Sequence, residues 1–184
     1  MNKQIDEEIV QACLRNEAKA QKALYDFFSR TMFAVCLRYC NTHEDAMDVL
    51  QEGFIKVFTR LNQFSGKGSL EGWMKRVFIN TALEHYRVNK VYQEQSDVEM
   101  ANDNPVDGFV LEKISQKEIF ELLNQLAPGY RTVLNLYAIE GYNHAEIAEM
   151  LGISEGTSKS QLSRARSLFA QAYAKRNNIK QGGR

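Results

Sequence analysis

The chain has 184 residues, 44% of them hydrophobic, and its 23 Lys and Arg residues balance its 23 Asp and Glu residues, which indicates one or two small globular domains. Its longest unbroken apolar run, Met32 to Leu37, is far shorter than the roughly 20 residues of a membrane-spanning helix. Because the amino terminus also lacks the apolar stretch of a secretory signal, the sequence argues against membrane insertion and predicts a cytoplasmic protein.

Two amphipathic helices are predicted in the first third of the chain. Apolar residues at helical spacing indicate a first helix that ends at Asn41. Thr42, with Asp45 three residues further on, has the spacing of a capping box and predicts the start of a second helix. On the outer face of this second helix Asp45, Asp48 and Glu52 align. No Lys or Arg accompanies them there, so the face is predicted to be acidic and exposed.

A segment rich in glycine and serine, residues 62–70, predicts an exposed loop before a third helix. Ser69 can cap this helix, which is predicted over residues 70–90 with Trp73 in its first turn. One face of the helix is polar and basic, and it carries Arg76, Asn80 and Arg87. A purely structural role in the core remains an alternative interpretation of Trp73.

Residues 91–110 lose helical periodicity and contain five acids and no base, which predicts a flexible acidic linker. Beyond it, residues 111–126 are again amphipathic, and Pro128 suits the first turn of the next helix. The sequence therefore predicts an all-α protein of two small helical domains, residues 1–90 and 111–184, joined by this linker.

The second domain contains the pattern of a helix-turn-helix. Asn143 and Glu146 have capping-box spacing at the start of a short helix, Gly152 suits a tight turn, and Ser154 can cap a longer helix. Ser158 falls in the apolar stripe of that longer helix. The opposite face is small, polar and basic, with Lys159, Ser160, Ser163, Arg164 and Ser167. No acid occurs from residue 157 onward, which favours DNA binding over a merely solvated face.

With these motifs in view, residues 8–176 resemble a sigma factor of the extracytoplasmic-function type, within the sigma-70 family. The segment DAMDVLQEGFIKVF, residues 45–58, is similar to the family's core-polymerase-binding helix. Residues 64–87 resemble the promoter-melting and minus-ten segment, and residues 146–166 are similar to the minus-thirty-five helix-turn-helix. Both sets of motifs occur in the family's order, and the linker between them is too short for the middle domain of housekeeping sigma factors.

The resemblance implies a protein that binds core RNA polymerase, recognises promoter DNA and assists strand opening without catalysis. It assigns contacts with the clamp helices of the largest polymerase subunit to Asp45, Asp48, Gln51 and Glu52. It assigns contacts with the flipped minus-ten base, and with the strand that carries this base, to Phe64, Ser65, Lys67, Trp73, Arg76, Asn80 and Arg87. The outer face of the longer helix in the second domain would contact the minus-thirty-five element. The resemblance also implies that the protein associates with the nucleoid through polymerase. It implies an anti-sigma factor as a further partner, although no motif in this sequence indicates one.

Several positions depart from the family pattern. Ser158 stands where an apolar residue is usual, which predicts weaker packing of the recognition helix. Gln161 and Ser163 replace an Arg and a larger residue, so the family's promoter sequence does not carry over. Gly53 lies inside a helix, where glycine costs about 1 kcal/mol relative to alanine.

The acidic face is predicted to be exposed, so charge reversal at Asp48 and Glu52 should leave folding nearly unaffected.

A stand-alone helix-turn-helix regulator is the alternative function. Such a protein binds duplex DNA without polymerase, usually as a dimer that reads two half-sites. The acidic face of the second helix and the loop at residues 62–70 have no role in that interpretation.

The sequence gives little support for an enzymatic function, and it predicts no bound metal or cofactor. The three histidines, His43, His85 and His144, are scattered without metal-ligand spacing, and no phosphate-binding glycine loop occurs. His144 is expected to be an exposed residue in the first turn of its helix. The three cysteines are odd in number and lack a CxxC pair, so we expect reduced, largely buried thiols.

Overall fold

The computed structural model describes residues 7–93 and 116–182, and the regular elements in these residues are all helical. The chain divides into two compact units, residues 1–94 and 95–184. The predicted all-α fold is confirmed. The predicted linker falls mostly outside the described residues, although its first three residues continue a helix. None of the described helices is long and apolar enough to cross a membrane.

The first unit is built from helices that pack around one core. Its elements are α1 (Glu7–Leu14), α2 (Ala18–Tyr39), α3 (His43–Arg60), a 3-10 turn (Leu61–Gln63) and α4 (Leu70–Gln93). Helices α2, α3 and α4 pack pairwise against one another, and α1 lies on α2. The apolar stripes of these helices supply the fully buried side chains, among them Leu24, Met32, Val49, Val57, Met74 and Phe78. This packing fixes which faces of α3 and α4 remain outside.

Gly53 permits a close approach between α3 and α4. The ring of the fully buried Phe78 occupies the space that a Cβ atom at position 53 would need. The ring of Phe54 meets the same phenylalanine edge-on, with 5.1 Å between centroids. The glycine that looks costly from helix propensity is therefore required by packing.

We expect Gly53→Ala to destabilise the protein by about 1–2 kcal/mol, because the cost of overpacking exceeds the gain in helix propensity. Urea unfolding provides the measurement. Gly156→Ala is the matched control, since a Cβ at that helical position meets nothing closer than ordinary van der Waals distance. Equal stabilisation by both substitutions would contradict the close contact with Phe78.

The three thiols of the first unit are buried, as predicted, and burial raises the pKa of the Cys36 thiol. Burial, together with the neighbouring Cys40, raises the pKa of the Cys36 thiol to about 12 from an ordinary value of 9.0. The folded state then holds a proton that the unfolded chain releases, so stability should fall as pH rises above 9.0. The loss should be at most about 1.4 kcal/mol per pH unit. Cys36→Ala should lack this part of the alkaline loss when urea midpoints are compared between about pH 8 and 11.

The second unit contains the remaining elements: α5 (Gln116–Leu123), α6 (Pro128–Leu134), a π-helical turn (Asn135–Ile139), α7 (His144–Leu151) and α8 (Glu155–Gly182). Pro128 occupies the first turn of α6, as predicted. The π-helical turn was not predicted. Helices α6 and α7 pack against α8. Nη1 of Arg176 on α8 lies 2.6 Å from Oε2 of Glu121 on α5. Helix α8 is thus held by three other helices as far as Arg176, while one of its faces stays outside.

Candidate functional site

The acidic face of α3 lies where the sequence predicts it. The hydroxyl of Thr42 accepts a hydrogen bond of 3.0 Å from the backbone N–H of Asp45, so the helix begins at the predicted cap. Asp48, Gln51 and Glu52 are exposed, as predicted. The prediction is wrong for Asp45, which lies in the capped first turn and is half-buried. These four residues form what we call the α3 acidic face.

Glu52 has a structural partner that the sequence did not reveal. Nζ of Lys56 lies 2.6 Å from Oε1 of Glu52 and 2.6 Å from Oε2 of Glu84 on α4. Burial by itself would lower the pKa of the Lys56 ammonium, but hydrogen bonds and charges from the two carboxylates raise it above its ordinary value. The structure therefore changes the expectation for Glu52: charge reversal there should lower stability, because a lysine would face Lys56 inside this network.

Two exposed apolar residues lie beside the α3 acidic face and were not predicted as site residues. Met47 and Ile55 are 38% and 63% exposed, and they stand one helical turn before and after Gln51. Apolar side chains ringed by polar ones are typical of a protein interface. Their position off the apolar core stripe of α3 is the sequence signal that would have identified them.

The loop before α4 has a shape that depends on glycine. Gly66 and Gly68 have φ angles of 72° and 85°, in the left-handed region that side chains other than glycine rarely adopt. Ser69 caps α4 as predicted, because its Oγ accepts a hydrogen bond of 3.0 Å from the N–H of Gly72. Ser65 and Lys67 are exposed at the tip of the loop.

An aromatic pair anchors this loop to α4. The rings of Phe64 and Trp73 lie 5.8 Å apart between centroids, at 47° to each other, and both residues are half-buried. Trp73 is therefore neither a fully buried core residue nor a free surface side chain. The pair holds the base of the loop and leaves aromatic surface at its edge.

A cleft of about 480 Å³ opens between this loop and helix α1. Its apolar walls come from both elements and from the 3-10 turn: Val10, Leu14, Leu61, Phe64 and Leu70. Its polar lining consists of Glu7, Gln11, Asn62 and Ser65. The cleft is large enough for a flat heterocycle and offers both stacking surface and hydrogen-bonding groups. No sequence pattern connects α1 with the loop.

The predicted polar face of α4 continues from this loop. Arg76, Asn80 and Arg87 are all exposed, and their spacing places them within about 40° of one another around the helix. Two guanidinium groups and an amide in one line suit the phosphates and base edges of a single strand. The loop, the cleft and this face belong to one unit.

The helix-turn-helix of the second unit forms as predicted. Asn143 and Glu146 make a full capping box. Oδ1 of Asn143 accepts a hydrogen bond of 3.0 Å from the backbone N–H of Glu146, and Oε2 of Glu146 accepts one of 2.8 Å from the backbone N–H of Asn143. Gly152 ends α7 in the left-handed conformation, with φ 66° and ψ 37°. Ser154 caps α8 by accepting a hydrogen bond of 3.0 Å from the N–H of Thr157. Local chemistry therefore determines all three boundaries.

The outer face of α8 matches the prediction only in part. Three of its predicted residues are exposed: Lys159, Ser160 and Ser163. Nζ of Lys159 lies 3.6 Å from Oε2 of Glu155. Arg164, which was predicted to lie at the edge of the exposed face, is instead half-buried. Ser167 is also half-buried, and its Oγ accepts a hydrogen bond of 3.2 Å from Gln171.

A polar contact joins the two helices of this motif. Ser158 is fully buried, and its Oγ lies 2.9 Å from Nδ1 of His144 in the first turn of α7. His144 also stacks on Tyr137, with 4.8 Å between centroids and an angle of 26°. The prediction that His144 is exposed is therefore wrong. The serine at position 158 replaces an apolar contact by a hydrogen bond, so it does not simply weaken the packing.

Comparison with protein families finds two matching profiles in this chain. The profile of Sigma-70 region 2 matches residues 24–91, and the profile of Sigma-70, region 4 matches residues 116–168. The first match covers α3, the loop and the exposed face of α4. The second covers the helix-turn-helix.

Curated relatives match along nearly the whole chain. The RNA polymerase sigma-H factor of Pseudomonas aeruginosa is 27% identical over 91% of this chain and 93% of its own length. The ECF RNA polymerase sigma-E factor of Haemophilus influenzae is 25% identical, over 89% of this chain and 93% of its own. The sigma-E factor of Escherichia coli K12 is 27% identical, over 88% and 90%.

Solved structures share the fold at lower identity. CnrH, in complex with the cytosolic domain of CnrY, is 19% identical with a TM-score of 0.50, over 92% of this chain and 97% of that one. The sigma factor RpoE of Bartonella quintana, in complex with the anti-sigma factor NepR, is 20% identical with a TM-score of 0.51, over 83% and 96%. At this identity the likeness concerns the fold alone.

Proposed function

The chain belongs to the sigma-70 family as an extracytoplasmic-function sigma factor, and we propose that it binds core RNA polymerase through α3 and directs it to a subset of promoters. Residues 1–90 would bind polymerase and the minus-ten element, and residues 111–184 the minus-thirty-five element. We propose that the chain contributes binding energy and no catalysis, and that it acts in the cytoplasm, at the nucleoid, in complex with polymerase.

The observation that carries this proposal is the grouping of the loop, the cleft and the α4 face in one unit. A flipped base needs an apolar slot with polar groups at its rim, and the strand that carries it needs cations along its phosphates. The cleft beside Phe64 offers the first, and Lys67 with Arg76 and Arg87 offers the second. A duplex-binding repressor has no use for such a surface.

The α3 acidic face supports the polymerase contact. Asp48 and Gln51 project from the unit beside the exposed Met47 and Ile55. An apolar strip next to carboxylates suits a basic helical surface with apolar side chains, where charge sets orientation and apolar burial supplies affinity. We also propose that an anti-sigma factor regulates the chain, in line with the complex of the related fold from Bartonella quintana.

In vitro transcription tests the proposed function. The purified chain is added to sigma-free core polymerase with a library of promoter fragments from its own genome, and discrete run-off transcripts are expected. Core polymerase alone is the control. Binding of the chain to duplex DNA together with no transcript from any fragment would favour the stand-alone regulator.

We expect Lys159→Ala to weaken binding of the second unit to DNA by about three- to tenfold, because this exposed cation lies at the start of the recognition helix. Fluorescence anisotropy with a labelled duplex measures the change. Lys175→Ala is the control: it removes an exposed cation from the same helix, about 24 Å further along its axis. Equal losses in the two variants would show a general charge effect instead of a local contact.

A further inference from the structure

A column of stacked side chains begins and ends on helix α8. Buried Ser158 contacts His144, His144 stacks on Tyr137, and the guanidinium of Arg166 lies over the same tyrosine ring, 5.4 Å from its centroid. The column thus links two positions of the recognition helix, two turns apart, through residues of α7 and the π-helical turn. Arg166 itself is exposed.

The helical position of Arg166 puts it next to Lys159, at the edge of the outer face predicted for α8. Arg166 follows Lys159 by seven residues, so the two side chains lie within about 20° of each other around the axis. Arg164 lies about 140° from Lys159 and is half-buried. Arg166 therefore lies beside exposed Lys159, whereas Arg164 lies at the opposite edge of the outer face, next to Ser160.

The charge of Arg166 is available to an external anion. In the part of the chain that the structure describes, Arg166 forms no ion pair with a carboxylate, whereas Lys159 lies near Glu155. A cation–π contact fixes the position of a guanidinium without satisfying all of its five N–H donors. Such a group is suited to a phosphate, which accepts hydrogen bonds from a guanidinium fork.

We propose that Arg166 contacts a phosphate of the DNA duplex and that Tyr137 is the residue that positions it. The inference rests on the proposed DNA-binding role of the second unit and adds two residues to it. His144 and Ser158 support the tyrosine ring from the other end of the column. The π-helical turn contributes by placing Tyr137 between His144 and Arg166.

Salt-dependent binding of the full-length chain to a mixed-sequence 30-base-pair duplex tests the contact, since a phosphate contact does not depend on sequence. Arg166→Ala should lower affinity by about three- to tenfold and reduce the slope of log affinity against log salt by about one. An unchanged affinity and slope would overturn the inference while leaving the transcription test of the proposed function unaffected. Failure of the wild-type chain to bind the duplex even at low salt would overturn both DNA-binding assignments of this unit.

A double-mutant cycle tests the positioning role. Tyr137→Leu should lower affinity by about two- to fivefold, the change that corresponds to an exposed cation–π contact, whereas Tyr137→Phe keeps the ring and should bind like the wild type. In the Arg166→Ala background, Tyr137→Leu should cause no further loss. If it lowers affinity equally in both backgrounds, Tyr137 is merely structural and the positioning role is wrong. Thermal melts confirm that each variant is folded.

Discussion

Replacing Asp48 with Lys should lower the affinity of the chain for core RNA polymerase by at least about 30-fold. Asp48 is exposed at the centre of the α3 acidic face, with Gln51 and the apolar Ile55 beside it. If this face docks on a basic surface, the new ammonium opposes a like charge as water leaves the contact. Surface plasmon resonance with immobilised core polymerase gives the affinity directly.

The choice of Asp48 alone follows from the structure. Reversal at Glu52 would also disturb the network of Lys56 and Glu84, and a loss of binding could then reflect a change in folding. Glu8→Lys is the matched control, because it makes the same change in charge at an exposed position on α1. Wild-type affinity in the Asp48 variant would remove α3 from the polymerase interface.

The double substitution Lys67→Ala and Asn80→Ala should reduce open-complex formation by about ten- to a hundredfold while core binding stays intact. Lys67 lies at the tip of the loop and Asn80 on the exposed face of α4, so together they sample both parts of the proposed single-strand surface. Contacts to an unstacked base and its strand are worth about 1–3 kcal/mol per base, which is enough to shift a nearly balanced opening step. Permanganate reactivity of unpaired thymines near the start site measures the open fraction in reconstituted holoenzyme.

Lys75→Ala provides the control for lost charge in this experiment. Lys75 lies on the other side of α4, where its Nζ is 2.7 Å from Glu71. Its replacement should leave thymine reactivity at the wild-type level. Full reactivity in the double variant would show that the loop and the α4 face are structural, and it would strengthen the case for the stand-alone regulator.

Helix starts and the fold class could be predicted from the sequence because their causes are local. Thr42, Asn143 and Ser154 each accept a hydrogen bond from the backbone N–H three residues further on, and the structure contains all three caps. Apolar residues at helical spacing likewise predicted the amphipathic helices in the first third of the chain. Such features need no knowledge of what packs against the helix.

The site surfaces were predicted less completely, since exposure depends on neighbours that are remote in the chain. Met47 and Ile55 lie off the apolar core stripe of α3, but the packing of α3 was needed to show how far each side chain is exposed. The contribution of α1 to the cleft joins segments about fifty residues apart, and no spacing rule relates them.

The sequence by itself determined the elements of this protein: the all-α class, the capped helix starts, the helix-turn-helix and the acidic face of α3. Tertiary structure alone decided the pairings between elements: Gly53 under Phe78, Lys56 between two carboxylates, and Tyr137 beneath Arg166. The physical reason is range. Capping and periodicity act within one or two helical turns, whereas these contacts form only when packing brings distant side chains within a few ångströms of one another.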